Sequence, residues 1–141
     1  MSEQFWWKRE WIRVGTDRGW GFKVDSIGDY MHRAVLSTPW GTLRLHRIMR
    51  SDADRHLHDH PWDFTSLLLS GGYNELLDGG CRECPRWSIV SHKAEDRHAL
   101  VLDGPVTTLV LTGPIRRDWG FHTEDGWIHF RDYQSVKGRT Q

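Results

Sequence analysis

Three histidines alternate with other residues in the segment His56-Leu57-His58-Asp59-His60, and this spacing constrains the fold more than any other feature. Side chains at i and i+2 of a β-strand point to the same face, so two of these imidazoles can point at one place. Imidazole is a ligand that divalent iron, copper, nickel and zinc accept. Pro61 follows directly, and proline bends or ends a strand. The segment therefore predicts a metal site at the end of a β-strand, with either His56 and His58 or His58 and His60 as ligands.

Turn-forming residues divide the rest of the chain into short apolar runs. Glycine and proline cluster near residues 38–41, 71–72, 78–80, 103–105 and 113–114. Such spacing between short runs that contain β-branched residues is typical of an all-β sandwich or barrel. The predicted strands cover residues 33–37, 42–49, 63–70, 73–77, 87–91, 98–102, 106–112 and 127–133.

The length of 141 residues predicts a single domain with one core. We divide it into an N-terminal aromatic arm (1–32), a β-barrel (33–133) and a tail (134–141). Within the arm, Trp6, Trp7 and Trp11 have the spacing to share one side of a short helix, and Trp20-Gly21-Phe22 is typical of an aromatic turn. The arm is interpreted as a lid or packing segment.

Charge and composition exclude several classes of function. Acidic and basic residues balance at 19 each, which argues against a nucleic-acid binder that works by bulk charge. No apolar segment approaches the roughly 20 residues of a membrane span, and residues 1–8 contain no uninterrupted apolar stretch typical of a signal peptide. Two cysteines are too few for a disulfide scaffold. We therefore expect a cytoplasmic protein without a nucleic-acid or membrane partner.

The histidine segment resembles the first of two metal-binding motifs of the cupin superfamily. That motif runs Gly, five residues, His-x-His, three or four residues, Glu, six residues, Gly. Here His58-Asp59-His60 matches His-x-His, Asp63 stands near the Glu position, and Gly71 or Gly72 closes the motif. A competing register begins at His56, after which Asp63 falls at the four-residue spacing.

A third histidine resembles the second cupin motif, which runs Gly, five residues, Pro-x-Gly, two residues, His, three residues, Asn. Residues 93–98 have the length of its Pro-x-Gly-x-x-His part, although the proline and the glycine are missing. His98 takes the histidine position, and Leu102 replaces the asparagine. The resemblance implies a double-stranded β-helix, a jelly-roll-like barrel, with His58, His60 and His98 as metal ligands.

Residues 58–72 are also similar to the thiol dioxygenases, such as cysteine dioxygenase, which use three histidines and no carboxylate ligand. Thr65 takes the place of the cysteine that some of them crosslink to tyrosine, and no Ser-x-His-x-Tyr triad follows His98. The similarity therefore supports the metal geometry more than a thiol substrate. The whole chain looks most like small cupin-like proteins of bacteria and their phages.

The resemblance implies a mononuclear non-haem Fe(II) dioxygenase-like enzyme that acts on a small polar or anionic molecule, with zinc, nickel or manganese as alternative ions. A homodimer is compatible with the nine tryptophans. Two other classes remain open. One is a metal-free sugar-nucleotide isomerase or epimerase in which histidines act as general bases, and the other is a non-catalytic cupin that binds a small molecule.

His46, Arg47 and Asp63 are the predicted substrate-positioning residues. Arg47 alternates onto the face of strand 42–49 that carries the apolar residues, while Arg44 and His46 share the other face. Because a buried guanidinium needs an anionic partner, Arg47 is either a substrate anchor or displaced to the rim of the barrel. Asp63 is a fourth ligand, a group that orients a ligand histidine, or a turn cap.

Two further clusters have alternative interpretations. Cys81-Arg82-Glu83-Cys84 is interpreted as an exposed hairpin loop with incidental thiols rather than half of a zinc site. Arg116 and Arg117, followed by Trp119 and Phe121, form either a cap that grips an anionic ligand at the barrel mouth or an ordinary solvated loop.

Overall fold

A computed structural model describes residues 14–15, 19–52 and 56–137, apart from the side chains of residues 14–15 and 134–137. The elements, in chain order, are β1 (Val14–Gly15), β2 (Gly21–Ile27), β3 (Met31–Thr38), β4 (Gly41–Ile48), β5 (Leu57–His58), β6 (Phe64–Ser70), β7 (Tyr73–Leu77), β8 (Gly80–Cys84), β9 (Ile89–His92), β10 (Ala99–Leu102), β11 (Val106–Thr112), β12 (Gly120–Thr123), β13 (Gly126–His129) and α1 (Phe130–Lys137). The all-β prediction is confirmed.

The main sheet is antiparallel and has the strand order β1-β2-β3-β4-β11-β6-β9. Strands β2, β3 and β4 follow one another as hairpins, whereas β11 returns from late in the chain and inserts between β4 and β6. Along β11 the buried residues alternate with less buried ones, as expected when one face of a strand packs inward. The alternation therefore gives the main sheet an inner and an outer face.

Two smaller sheets, β10-β7-β8 and β13-β12-β5, complete the structure. An apolar core joins the first of them to the main sheet, and its buried members are Ile48, Leu68, Tyr73, Cys84, Val90, Leu100 and Val106. Leu68 and Val106 have no exposed surface. This core fills one end of the space between the sheets.

The turn between β6 and β7 depends on glycine, as the Gly71-Gly72 signal predicts. Gly71 has a φ of +70°, a conformation that L side chains rarely adopt, and a Cβ there would lie 2.8 Å from the carbonyl oxygen of Pro105. The turn takes the chain from β6 in the main sheet to β7 in the sheet β10-β7-β8.

The outer face of the main sheet is apolar and exposed. It presents Val24 from β2, Leu36 from β3, Leu45 from β4 and Leu111 from β11. The apolar stripe of β4 therefore points away from the core, which is the reverse of what hydrophobic patterning predicts.

The N-terminal region differs from its prediction. Gly21–Ile27, within the predicted arm, is a strand that pairs with β3 along its whole length. Its period-two pattern is inverted, with Phe22 and Val24 exposed and Asp25 buried, so it is hard to recognise as a strand from apolar alternation. The tryptophans at positions 6, 7 and 11 lie outside the described residues.

The C-terminal strand is shorter than predicted. Strand β13 ends at His129, and Phe130 begins a helix whose first turn contains Asp132, an acid that favours a helix N-terminus. The predicted strand 127–133 is therefore wrong beyond His129. No helix in the described ranges is long and apolar enough to cross a membrane.

The cysteine segment is a strand and not a loop. Gly80–Cys84 pairs with β7 over five residues, which leaves Cys81 exposed and Cys84 buried in the apolar core. The exposed-loop interpretation is wrong because the turn takes only Asp78 and Gly79, and the strand already begins at Gly80.

Candidate metal centre

Three histidine side chains converge at the end of the barrel opposite the apolar core. His58, His60 and His98 each offer a ring nitrogen within 4.8 Å of the others. The ring centroids are 4.8 to 5.1 Å apart, and Nε2 of His60 lies 3.3 Å from Nε2 of His98. The structure thus brings together the three residues predicted from the His-x-His segment and the later histidine.

Backbone pairing sets the positions of these three side chains. His58 and His98 form a β-bridge in which each amide donates to the other carbonyl, at 2.9 and 3.0 Å. Strand alternation then turns His58 and His60 to one side and Asp59 to the other. The separation between two of the three imidazoles therefore depends on main-chain hydrogen bonds more than on side-chain contacts.

Asp59 anchors the histidine segment from behind. Its side chain is fully buried and accepts hydrogen bonds from the Gly120 amide at 2.8 Å, and from Nε2 of His122 and Nε1 of Trp127 at 2.9 Å each. Arg117 adds an ion pair at 3.1 Å. A buried carboxylate with this many partners has its hydrogen-bonding capacity filled by the protein. Asp59 therefore holds the histidine segment in place and needs no bound ion or ligand.

Glu75, on β7, is a functional residue that the sequence analysis missed. Its buried carboxylate accepts a hydrogen bond from Nδ1 of His98 at 2.5 Å, another from Nε2 of His92, and a third from Nε of Arg82 at 3.0 Å. Burial raises the pKa of Glu75, but the hydrogen bonds from His92, His98 and Arg82 outweigh it and hold the pKa far below its ordinary value. Glu75 is therefore an anion that orients His98.

The contact with Glu75 decides which nitrogen of His98 is free. With its Nδ1 proton donated to the carboxylate, a neutral His98 carries its lone pair on Nε2, the atom that faces His60. Burial, followed by the neighbouring His58 and His98, holds the pKa of His60 well below its ordinary value, so His60 is neutral as a ligand must be.

The nitrogen separation fits a shared ion. Two imidazoles that bind one ion at about 2.0–2.1 Å in tetrahedral geometry hold their nitrogens roughly 3.3 Å apart. The observed separation of Nε2 of His60 and Nε2 of His98 has this value. The imidazoles of His60 and His98 therefore fit one shared ion, and a ring nitrogen of His58 lies within 4.8 Å of theirs as a third ligand atom.

Glu75, His92 and His98 form a second group with ligand atoms in metal range. In this group the carboxylate already accepts hydrogen bonds from both histidines, and using Nδ1 of His98 as a ligand would break the contact that orients it. We therefore assign this group the role of supporting the first one.

Aromatic rings surround the three histidines. Trp62 stacks on His60 with centroids 5.6 Å apart, Phe64 lies edge-on to it at 4.5 Å, and Trp119 and Phe121 lie 6.3 and 6.0 Å from His58. A separate open groove of about 460 Å³ is lined by Phe64 and His92 but by none of the three histidines. The rings therefore shield the imidazoles from water.

Comparison with known proteins supports this architecture. No family model and no curated protein matches the sequence. Among solved structures, the cupin-2 domain protein Rru_A2000 from Rhodospirillum rubrum superposes with a TM-score of 0.56 at 17% identity over 68% of each chain. The chain has a cupin fold.

Two more similar structures agree. KdgF from Halomonas sp. gives a TM-score of 0.53 at 17% identity, over 67% of this chain and 87% of that one. A cupin superfamily protein from Desulfitobacterium hafniense gives 0.52 at 15% identity, over 60% and 78%. At these identities the likeness shows the fold alone, so what this chain does has to be argued from its own residues.

Arg47 lies away from the three histidines. It is on the outer face of β4, where it is exposed and donates to Oγ1 of Thr107 at 2.8 Å. The expectation that it points into the barrel is wrong because the apolar face of β4, which it shares, faces outward. The inner face carries Arg44 and His46 instead.

Asp63 is also separate from the histidines. Its carboxylate accepts hydrogen bonds from the Ala94 amide at 2.8 Å and from Arg116 at 2.6 Å. The Ala94 amide, with Arg116 and Lys93, lowers the pKa of Asp63. Among its three predicted roles, these contacts match the turn cap, because they join Asp63 to the backbone of Ala94 and to Arg116.

The remaining residues singled out in the sequence differ in where they lie relative to the three histidines. His46 lies on the inner face, with its Nε2 buried and without a hydrogen-bond partner in the described residues. His56 is turned away and its Nδ1 lies 2.9 Å from the hydroxyl of Tyr133, so the register that uses His56 is not the one brought together. Arg116 and Arg117 are paired with Glu95 and Asp59.

Proposed function

We propose that this cupin is a mononuclear metal protein, with His58, His60 and His98 as ligands, that acts as a non-haem Fe(II) dioxygenase-like enzyme on a small polar or anionic molecule. The observation that carries the proposal is the convergence of three imidazoles, two of which have nitrogens 3.3 Å apart, beside a buried carboxylate that orients one of them. Imidazole ligands suit iron, zinc, nickel and copper.

Each part of the site has a task. The three histidines hold the ion from one side and leave coordination positions for small molecules, and Glu75 fixes the ring of His98 through its Nδ1. Trp62, Phe64 and the rings near His58 exclude water. When bound, Fe(II) supplies Lewis acidity and the means to activate O₂.

A metal-free isomerase or epimerase is the second candidate. The observation that favours it is the Glu75–His98 contact, because a carboxylate on Nδ1 of a histidine is also how a general base is oriented. The two candidates differ in whether the purified protein holds metal.

The test is elemental analysis of protein purified without an affinity tag that binds metal. We expect about one divalent transition ion per chain, since one three-histidine site is present. Changing His58, His60 or His98 to alanine, one at a time, should remove most of the ion while the circular dichroism spectrum stays native.

His56→Ala is the matched control. This histidine lies in the same segment and bonds to Tyr133, so its loss should leave the metal content unchanged. Full occupancy in all three ligand variants would refute the site, and wild type without any metal, but with isomerase activity that His98→Ala abolishes, would favour the second candidate.

A further inference from the structure

A row of charged and polar side chains lines the inner face of β2, β3 and β4. Asp25 pairs with Arg33 across β2 and β3, and Arg33 pairs with His46 across β3 and β4. Arg44 lies two residues from His46 on the same face, which also carries the buried Val35 and Ile48. A cluster of this polarity inside a barrel needs an explanation because buried charges are costly unless paired.

The single acid of the cluster is already in use. Arg33 donates to both carboxylate oxygens of Asp25, at 2.7 and 2.6 Å, and Lys23 lies 3.7 Å from the same group. Arg44 lies near the same carboxylate, which Arg33 already engages through both oxygens. Among the described residues of this face, the guanidinium of Arg44 is therefore left without a carboxylate of its own.

Arg44 and His46 have hydrogen-bonding capacity to spare. Arg44 donates its Nε to Thr42 at 2.9 Å, and no acid in the described part of the chain forms an ion pair with it. Burial, with a contribution from Arg33, lowers the pKa of Arg44 to about 10, so the guanidinium is still charged at neutral pH. Nε2 of His46 is buried without a partner among the same residues. Unsatisfied groups of this kind are uncommon in folded proteins.

The cluster lies next to the metal centre. The guanidinium carbon of Arg44 is 5.0 Å from the centroid of Trp62, and the same ring stacks on His60 at 5.6 Å. One aromatic side chain thus contacts both the cationic cluster and a ligand histidine. The ring of Trp62 therefore connects the cluster with the three histidines.

We propose that Arg44 and His46 form an anion-binding subsite that takes the carboxylate or phosphate group of the substrate. The planar guanidinium fork can donate two parallel hydrogen bonds to such a group, and His46 can donate a third from Nε2. That the rest of the substrate extends toward the three histidines rests on the proposed function. The anion-binding subsite itself does not.

The test measures binding of inorganic phosphate and of acetate to the full chain by isothermal titration calorimetry, with glycerol as a neutral probe. At least one anion should bind saturably, and the better of the two identifies the anionic group. Arg44→Gln should weaken that binding about tenfold to hundredfold, as expected for the loss of a charge-assisted hydrogen bond. Arg47→Gln is the matched control, because it makes the same change on the same strand but on the outer face.

His46→Gln provides a second variant, in case the Arg44 variant does not fold, and should also weaken binding. His60→Ala separates the two proposals: it should lose metal and keep anion binding. The subsite is overturned if neither anion binds, if glycerol binds as well, or if both inner-face variants bind like wild type. Anion binding that His60→Ala abolishes and Arg44→Gln leaves intact would place the anion on the ion and overturn it as well.

Discussion

The two ends of the barrel interior differ in chemistry although the same strands supply both. At one end, Leu68 of β6 and Tyr73 of β7 pack in the apolar core. Toward the other end, the next inward residue of β7 is Glu75, and His98 immediately precedes β10, whose Leu100 belongs to the core. An apolar core thus fills one end, while the other end carries a network of histidines around a buried carboxylate.

The largest effect that this comparison predicts is on stability. Leu68→Ala should lower the free energy of unfolding by about 2–5 kcal/mol, because Leu68 has no exposed surface and its removal leaves a cavity. Urea denaturation measures the loss, and metal content should not change. Leu111→Ala, on the exposed face of the same sheet, is the control and should cost about 0.5 kcal/mol or less. A Leu68 variant that unfolds like wild type would mean that the core lies elsewhere.

Glu75 lies where the two regions meet, and substituting it should affect the histidine end more than the apolar core. Glu75→Gln keeps the volume but removes the anion that orients His98, so metal affinity should fall about 10- to 100-fold. Competition with a chelator of known affinity measures it. Glu83→Gln, an exposed change on the neighbouring strand, should have no effect. Equal affinities for the two variants would show that Glu75 does not orient a ligand.

The smallest effect concerns acid sensitivity at the inner polar face. Burial raises the pKa of Asp25, but Arg33 more than compensates and lowers it below its ordinary value. A carboxyl whose pKa is lower in the folded than in the unfolded state stabilises the protein at pH values above the unfolded pKa. This stabilisation is lost as the pH falls through the folded pKa. Asp25→Asn should therefore flatten the decline of the melting temperature below about pH 4, whereas Asp29→Asn, at an exposed turn, should leave it as in wild type. Parallel curves for wild type and Asp25→Asn would contradict the ion pair with Arg33.

Local spacing explains what the sequence could predict. His58 and His60 are two residues apart, so strand geometry alone places them on one face, and the glycine turns mark most strand ends. The contact between Glu75 and His98 depends on pairing between β7 and the strand after His98, which no local pattern reveals. The only signal for Glu75 is a charged residue on the inward period of a strand, between Tyr73 and Leu77.

The error at Arg47 has a different origin. Alternation along β4 is correct, and Arg47 does share a face with Leu45. Hydrophobic patterning assumes that the more apolar face of a strand points inward. In β4 the inward face holds Arg44 and His46 and the outward face is apolar, so the assumption inverts the assignment of this strand. A barrel whose interior binds a polar ligand can break this rule.

The distance in sequence between His60 and His98 bears on the stability of the folded state. These two proposed ligands are 38 positions apart, and β6, β7, β8 and β9 lie between them. An ion shared by these residues would act as a removable crosslink that closes this loop. Unfolding would then require release of the ion. Its contribution to stability would grow with the logarithm of the free ion concentration. The lifetime of the folded chain would then depend on the metal supply around it.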